Sequence, residues 1–291
     1  MKEKEPLSEF KKLFEQSKDG QKKIAQLEQE NKQLKTIVKK HVQDQKKIII
    51  KSKSKTDKIK FGVIGDTHLG SLCEKIDYLN IYYNELEERG ITTVLCAGDL
   101  IDGWNIYKGQ LFEQHKRGWK EQKSWFVEQF PVRQNIKTKF ITGNHDSSFT
   151  KTVDIEVGKE LAAAREDLEF IGEDIGDVYF QVPGSDKQCK VTLIHPDGGT
   201  AYALSYKPQK IIEQLEGGSK PHLLVIGHFH KAEFLPNYRN VACLQAGTFQ
   251  SQTPFMKRKG LSAMMGGWIV EAEILDEYNI FKTEFVSFYY K

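Results

Sequence analysis

Five short clusters of carboxylates, imidazoles and one carboxamide hold the chemistry legible in this chain. They are Asp66-Thr67-His68, Gly98-Asp99, Gly143-Asn144-His145-Asp146, His195, and Gly227-His228-Phe229-His230. Aspartate oxygens and imidazole nitrogens suit divalent ions of intermediate hardness, and a carboxylate has two oxygens with which to bridge a pair of ions. Bridging is the natural role of Asp99. Two ions about 3.5–4 Å apart hold a phosphate between them and lower the pKa of a water, a combination suited to phosphoester hydrolysis near neutral pH. Each cluster alone is weak, because Gly-Asp after a strand is commonly a turn and a lone histidine is usually structural. Five in this order point to one site.

Strands must deliver them. Each cluster follows an apolar run of strand length, Phe61–Ile64, Val94–Ala97, Phe140–Ile141, Val191–Ile194 or Leu223–Ile226, so the polar groups are expected where strands end in loops. Helix-like spacing fills the intervals. It predicts helices over Tyr78–Arg89 with Gly90 as a stop, over Leu111–Phe130 ended by Pro131, near Val153–Arg165 and near Pro208–Glu216. Further strands are expected around Val178–Val182, Lys190–Ile194 and Val241–Gln245, and Trp268–Ile274 with Ile280–Phe288 reads as a closing hairpin.

In motif content and order, residues 59–250 resemble a calcineurin-like metallophosphoesterase. The resemblance implies an α/β fold, a four-layer α-β-β-α sandwich. It also implies that Asp66, His68 and His230 hold one divalent ion and Asn144, His195 and His228 the other, with Asp99 between them. Mn²⁺ is the first expectation, and Fe, Zn, Ni, Co and Mg are alternatives. His145 would face the substrate as general acid or transition-state stabiliser, with Asp146 the nearest carboxylate to partner it; a loop cap is the other reading of Asp146. Asp102 is a candidate for the surroundings of the ions or for substrate contact. The start Asp66-Thr67-His68-Leu69-Gly70 is similar to that of DNA double-strand-break repair exonucleases in the same superfamily, as is Gly98-Asp99-Leu100-Ile101-Asp102. Phosphoprotein phosphatases of the superfamily carry an Arg after the second Asp; Gly103 stands here, which removes a bidentate phosphate clamp. Pro196 follows His195 where the superfamily often has Gly.

The net charge of +3 conceals an asymmetry, because residues 1–60 carry a net of +9 and the remainder −6. The chain divides accordingly into a basic helical segment at 1–50, a polar linker at 51–58 and the phosphoesterase domain at 59–291. Ile24, Leu27, Asn31, Leu34 and Val38 alternate spacings of three and four, as in a coiled coil. That pattern predicts pairing with a second copy through residues 24–41, or else one amphipathic helix lying on the domain. The four cysteines are isolated from one another and read as reduced thiols. No apolar run is long enough to span a bilayer, and a cytoplasmic location is the default expectation.

The sequence therefore predicts a metal-dependent phosphodiester hydrolase acting on nucleic acid, with DNA favoured and a metal-activated hydroxide as nucleophile. A phosphodiesterase or phosphatase of a small phosphorylated metabolite is the enzymatic alternative. A coiled-coil assembly protein with a structural metal site is the non-enzymatic one. Trp104, Tyr107 and Trp119, interleaved with Lys108, Lys116, Arg117 and Lys120, could stack unpaired bases, although packing of the tryptophans against the sheet is the stronger expectation.

Overall fold

A computed structural model describes residues 48–51 and 57–289. The heptad segment and the proposed pairing surface at 24–41 lie outside the described residues. In chain order the elements are β1 (Ile48–Lys51), β2 (Lys58–Ile64), α1 (Ile76–Glu88), β3 (Thr93–Cys96), α2 (Gly118–Gln129), β4 (Lys137–Thr142), α3 (Ser147–Val153), α4 (Val157–Ala164), β5 (Leu168–Glu173), β6 (Ile175–Gln181), β7 (Gln188–Ile194), α5 (Tyr206–Gln214), β8 (Leu223–Ile226), β9 (Ala232–Tyr238), β10 (Val241–Ala246), α6 (Pro254–Lys259), β11 (Gly266–Ile274) and β12 (Asn279–Ser287). They form two six-stranded sheets, ordered β12-β11-β2-β3-β4-β5 and β1-β6-β7-β8-β10-β9.

The strands that precede the polar clusters carry apolar runs toward their C-terminal ends, where both of their faces are covered. One core lies between the sheets, where Phe61 of β2 stacks on Phe180 of β6 at 4.5 Å between centroids. A second joins the outer face of the first sheet to α1, α2 and α4, and a third seats Ile212 of α5 on β8 and β10. Helix, sheet, sheet and helix make the α-β-β-α sandwich. On the first sheet Tyr82 of α1 is fully buried and donates to the Trp268 carbonyl at 2.5 Å. Its ring needs Gly62 and Gly267 beneath it, since a Cβ at either position would come within 2.9 Å of the phenol.

Four expectations change. Ile48–Lys51, read as the end of the helical segment and the start of the linker, is a strand paired in parallel with β6. The helix expected from Leu111 begins only at Gly118, whose φ of 69° breaks the run; before it the chain makes a short 3₁₀ turn at Gln110–Phe112. The helix expected near Val153–Arg165 is α4, beginning only at Val157, and a separate unanticipated helix, α3, ends before it where Asp154 takes the left-handed region. β5, β9 and α6 were not anticipated, because β5 and β9 alternate too weakly for period to mark them and α6, although capped, is only six residues long.

β2, β3 and β4 run parallel in the first sheet, as do β7, β8 and β10 in the second. Their carboxyl ends release the loops that hold all five clusters.

Candidate metal centre

Five of the seven expected ligand residues sit at positive φ: Asp66 (53°), His68 (46°), Asp99 (52°), His228 (77°) and His230 (53°). Such backbone costs on the order of 1–3 kcal/mol per residue and persists only where the surroundings impose it. Here the loops impose it on one another. Asp66 N donates to the Gly98 carbonyl and His68 N to the Asp99 carbonyl, both at 3.0 Å, while both Asp66 carboxylate oxygens accept from His228 N at 2.9 and 3.0 Å.

The glycines of the motifs have a shared cause. A Cβ on Gly98 would lie 2.6 Å from His195 Nδ1, one on Gly227 2.8 Å from the same atom, and one on Gly143 2.7 Å from His195 Nε2. The residues preceding Asp99, Asn144 and His228 must therefore lack side chains to let the His195 imidazole between the sheets.

Side chains that could hold an ion gather in three overlapping groups: Asp66, His68 and His230; His68, Asp99 and His145; and Asp99, His195 and His228. Asp99 is common to the last two. Its Oδ2 lies 3.0 Å from His195 Nε2 and 3.8 Å from His68 Nε2. Asn144 Oδ1 is 3.1 Å from His195 Nε2 and 2.9 Å from His228 Nδ1. On the other side His68 Nε2 and His230 Nε2 approach to 3.1 Å, with Asp66 Oδ1 at 3.5 Å from the latter.

The proton inventory of these contacts fits cations. Carbonyls only accept, so His195 Nδ1, 2.7 Å from the Ala97 carbonyl, carries its proton and turns the Nε2 lone pair toward Asp99 and Asn144. His228 Nε2 likewise donates to the Gly198 carbonyl at 2.6 Å, leaving the Nδ1 lone pair facing the Asn144 oxygen. His230 Nδ1 is buried without a hydrogen-bond partner among the described residues. Around Asn144 the lone pairs of His195 and His228 thus converge on oxygens, an arrangement that a proton or a divalent ion completes, and each of the second nitrogens that meets a carbonyl is tethered, as in orienting shells around metals.

Charge follows the same logic. Burial holds the imidazoles of His68, His228 and His230 below their ordinary pKa, so they are neutral, the form that ligates. Burial also opposes charge on His195, yet the Asp99 carboxylate overrides it and lifts His195 to about 10. Asp99, although buried, is kept well below the carboxylate range by His195, His145 and His68. A proton on His195 occupies the place of a cation, and binding an ion would release it. Burial raises Asp66 well above the usual range, which a neighbouring cation would reverse.

Asp146 does not partner His145. Its carboxylate accepts from the backbone N–H groups of Leu100, Ile101 and Gly143 at 2.9–3.2 Å, locking the Asp99 loop to the Asn144 loop. Burial, then Asp99, push its pKa up to about 7 against those donors. His145 instead directs Nδ1 to the Asp102 carbonyl at 2.7 Å, which leaves Nε2 for the cavity, and its own N–H donates to Asp99 Oδ1 at 2.9 Å. The Asp102 carboxylate stands 3.4 Å from His68 Nδ1. Amide groups from three glutamines that carried no motif signal surround that carboxylate: Gln114 at 2.6 Å, Gln110 at 3.2 Å and Gln250 at 3.3 Å. Gly103, at φ 74°, packs its Cα against the His145 carbonyl and Ser148 Oγ, so no arginine fits after Asp102.

A cavity of about 310 Å³ opens over these groups. His68, Asp99, Asn144, His145, His228 and His230 form its floor; Ile106, Tyr107, Phe229, Phe255, Met256 and Leu261 form an apolar wall. Tyr107 therefore lines the cavity, whereas Trp104 and Trp119 are half-buried against the helix-side core, as expected of packing residues. Gly198–Thr200 and Gln250 complete the rim.

With two parallel-ended sheets delivering this donor set, the chain belongs to the calcineurin-like phosphoesterase family, whose model matches residues 59–232. It is similar to the DNA polymerase II small subunit of Methanothermobacter thermautotrophicus, 27% identical over 238 residues that cover 67% of this chain and 48% of that protein. The protein of the same description from Methanocaldococcus jannaschii is 25% identical over 250 residues, 71% of this chain and 41% of that one. The chain thus spans about half or less of the length of these curated relatives. Among solved structures it is similar to Vps29 of Entamoeba histolytica complexed with zinc, at TM-score 0.39 and 14% identity over 79% of this chain and 99% of that one. GAP50 of Plasmodium gives TM-score 0.46 and 14% identity over 79% and 84%. These two likenesses carry no functional argument. No helix among the described residues is long and apolar enough to cross a membrane.

Proposed function

We propose that this protein is a metal-dependent phosphodiester hydrolase acting on nucleic acid, with DNA favoured. The observation that carries the reading is the convergence of two lone-pair-rich donor groups on either side of Asp99, with His145 beside them. Asp66, His68 and His230 would hold one divalent ion, Asn144, His195 and His228 the other, and Asp99 both. When bound, two such ions supply Lewis-acid polarisation of a phosphoryl group and a water of lowered pKa; Mn²⁺ is the ion we expect.

The chain's own residues do the rest. The carbonyls of Ala97 and Gly198 fix which nitrogen of His195 and of His228 is free to ligate. The Asp102 carboxylate faces His68 Nδ1 at 3.4 Å, close to that nitrogen but without a hydrogen bond to it. His145 directs Nδ1–H to the Asp102 carbonyl, which leaves Nε2 as the atom through which a proton would reach the leaving oxygen. Without room for an arginine at Gly103, no guanidinium clamps a dianionic monoester, which favours diesters.

Three observations support a polymeric nucleic acid over a small metabolite: the exonuclease-like motif starts, the relatives described as DNA polymerase II small subunits, and Lys257, Arg258 and Lys259 in the last turn of α6 next to the cavity wall. To test it, metal-stripped protein is reloaded with Mn²⁺ and incubated with single- and double-stranded DNA, RNA, cyclic nucleotides and bis-p-nitrophenyl phosphate. Cleavage of nucleic acid is expected. Hydrolysis of the small diesters alone would favour the metabolite reading, and no hydrolysis with any metal would favour the scaffold.

A further inference from the structure

The apolar wall of the cavity is built with more care than shape alone requires. Tyr107 and Phe255 come from segments about 150 residues apart, yet their rings stack at 4.2 Å between centroids and 21° between planes. One buried carboxylate joins the two segments: Glu113 Oε2 accepts from the Tyr107 hydroxyl at 2.8 Å and from Phe255 N at 3.4 Å. Glu113 is only 7% exposed, and a carboxylate so placed is desolvated at a cost unless its contacts matter to the fold or the site. Phe255 is further fixed by the start of α6, where Thr253 Oγ1 accepts from Met256 N and Pro254 opens the helix. On the opposite side Gln110 ties the Tyr107 loop to the metal centre, accepting from Ile106 N at 2.8 Å and donating to the Asp102 carbonyl at 2.7 Å. The wall is thus pinned to the same Asp102 segment that meets His68 and His145.

We propose that this wall is a base-stacking subsite: it takes the nucleobase of the nucleotide whose phosphate lies on the donor floor. The inference rests on the phosphodiesterase reading and narrows its substrate. A flat, π-faced group one sugar away from a phosphate matches a cavity whose floor would hold phosphate-attracting cations and whose wall carries stacked aromatics. At about 310 Å³ the cavity lies at the small end of ligand pockets, room for a single nucleotide unit. A base paired within a duplex does not present its face, so the residue admitted is an unpaired one, at a strand end or in a single strand.

The test is equilibrium binding by calorimetry of the full chain loaded with Mn²⁺, using thymidine 5′-monophosphate, deoxyribose 5-phosphate and inorganic phosphate as probes. The nucleotide is expected to bind about tenfold or more tightly than the sugar phosphate. Phe255→Ala should bring that ratio close to one, and Phe255→Tyr, which keeps a ring, should restore it. Equal affinities of nucleotide and sugar phosphate in the unaltered protein, or a ratio unmoved by Phe255→Ala, would overturn the subsite while phosphate binding left the hydrolase reading standing. Failure of all three probes to bind would overturn both.

Discussion

The floor and the wall of the cavity reach comparable order by different routes. Every floor residue leaves the end of a parallel strand, and its position follows from a local rule: apolar run, glycine, ligand. Tyr107 and Phe255 of the wall come from the irregular 104–117 loop and the start of α6, and their positions follow from contacts across the sequence. Floor chemistry tolerates few residue types, since lone pairs must converge; wall chemistry asks only for apolar and aromatic surface. The floor is therefore strained and over-determined, the wall pinned at one carboxylate.

The sharpest way to separate them is to remove the shared donor. Asp99→Asn should abolish turnover and lower metal affinity by more than the 10–100-fold that changes around a ligand shell produce; inductively coupled plasma mass spectrometry would read the metal loss. Retention of full metal content would break the idea that both halves depend on Asp99. Next comes His145→Asn, expected to leave the metal content intact and slow diester hydrolysis by about 10²–10⁴-fold. Unchanged turnover would defeat a role for His145. Asp102→Asn should weaken metal binding by about 10–100-fold through a mis-set His68, an effect visible in a metal titration.

The smallest effect concerns protons. His195 has a folded pKa of about 10, above its ordinary value of 6.5, so its contribution to stability is complete below pH 6.5 and is lost as pH rises through 10. The raised Asp66 acts in the same direction, whereas the lowered His68, His228 and His230 have finished titrating by pH 6.5. Metal-free protein should therefore melt at a lower temperature at pH 10 than at pH 7, and His195→Gln should flatten that slope. A melting temperature insensitive to pH in this window would contradict the buried ion pair.

How much could be read beforehand follows the same division. Asp66, His68, Asp99, Asn144, His195, His228 and His230 were all identifiable, because each is tied to an apolar strand a few residues away. Asp146 carried two readings, a partner for His145 or a loop cap, and it is the second that matches its bonds to the N–H groups of Leu100 and Ile101, 46 and 45 residues away. Gln114 fell within the helix expected over Leu111–Phe130 and Gln110 just before it, since nothing local shows that Gly118 would delay the helix at positive φ. The contacts of Gln250, Glu113 and Phe255 were illegible for a plainer reason. Their meaning lies in partners more than 100 residues distant, and a loop sequence encodes no period from which such partners follow.

The central claim is that two donor groups meeting at Asp99 hold a pair of ions that act on a phosphodiester. Metal content per chain after Mn²⁺ loading, measured for the unaltered protein and for Asp99→Asn alongside thymidine 5′-p-nitrophenyl phosphate hydrolysis, tests it most directly. The account predicts two ions and turnover in the first, and loss of both in the second. A single ion or none in the unaltered protein, or hydrolysis that survives Asp99→Asn, would contradict it.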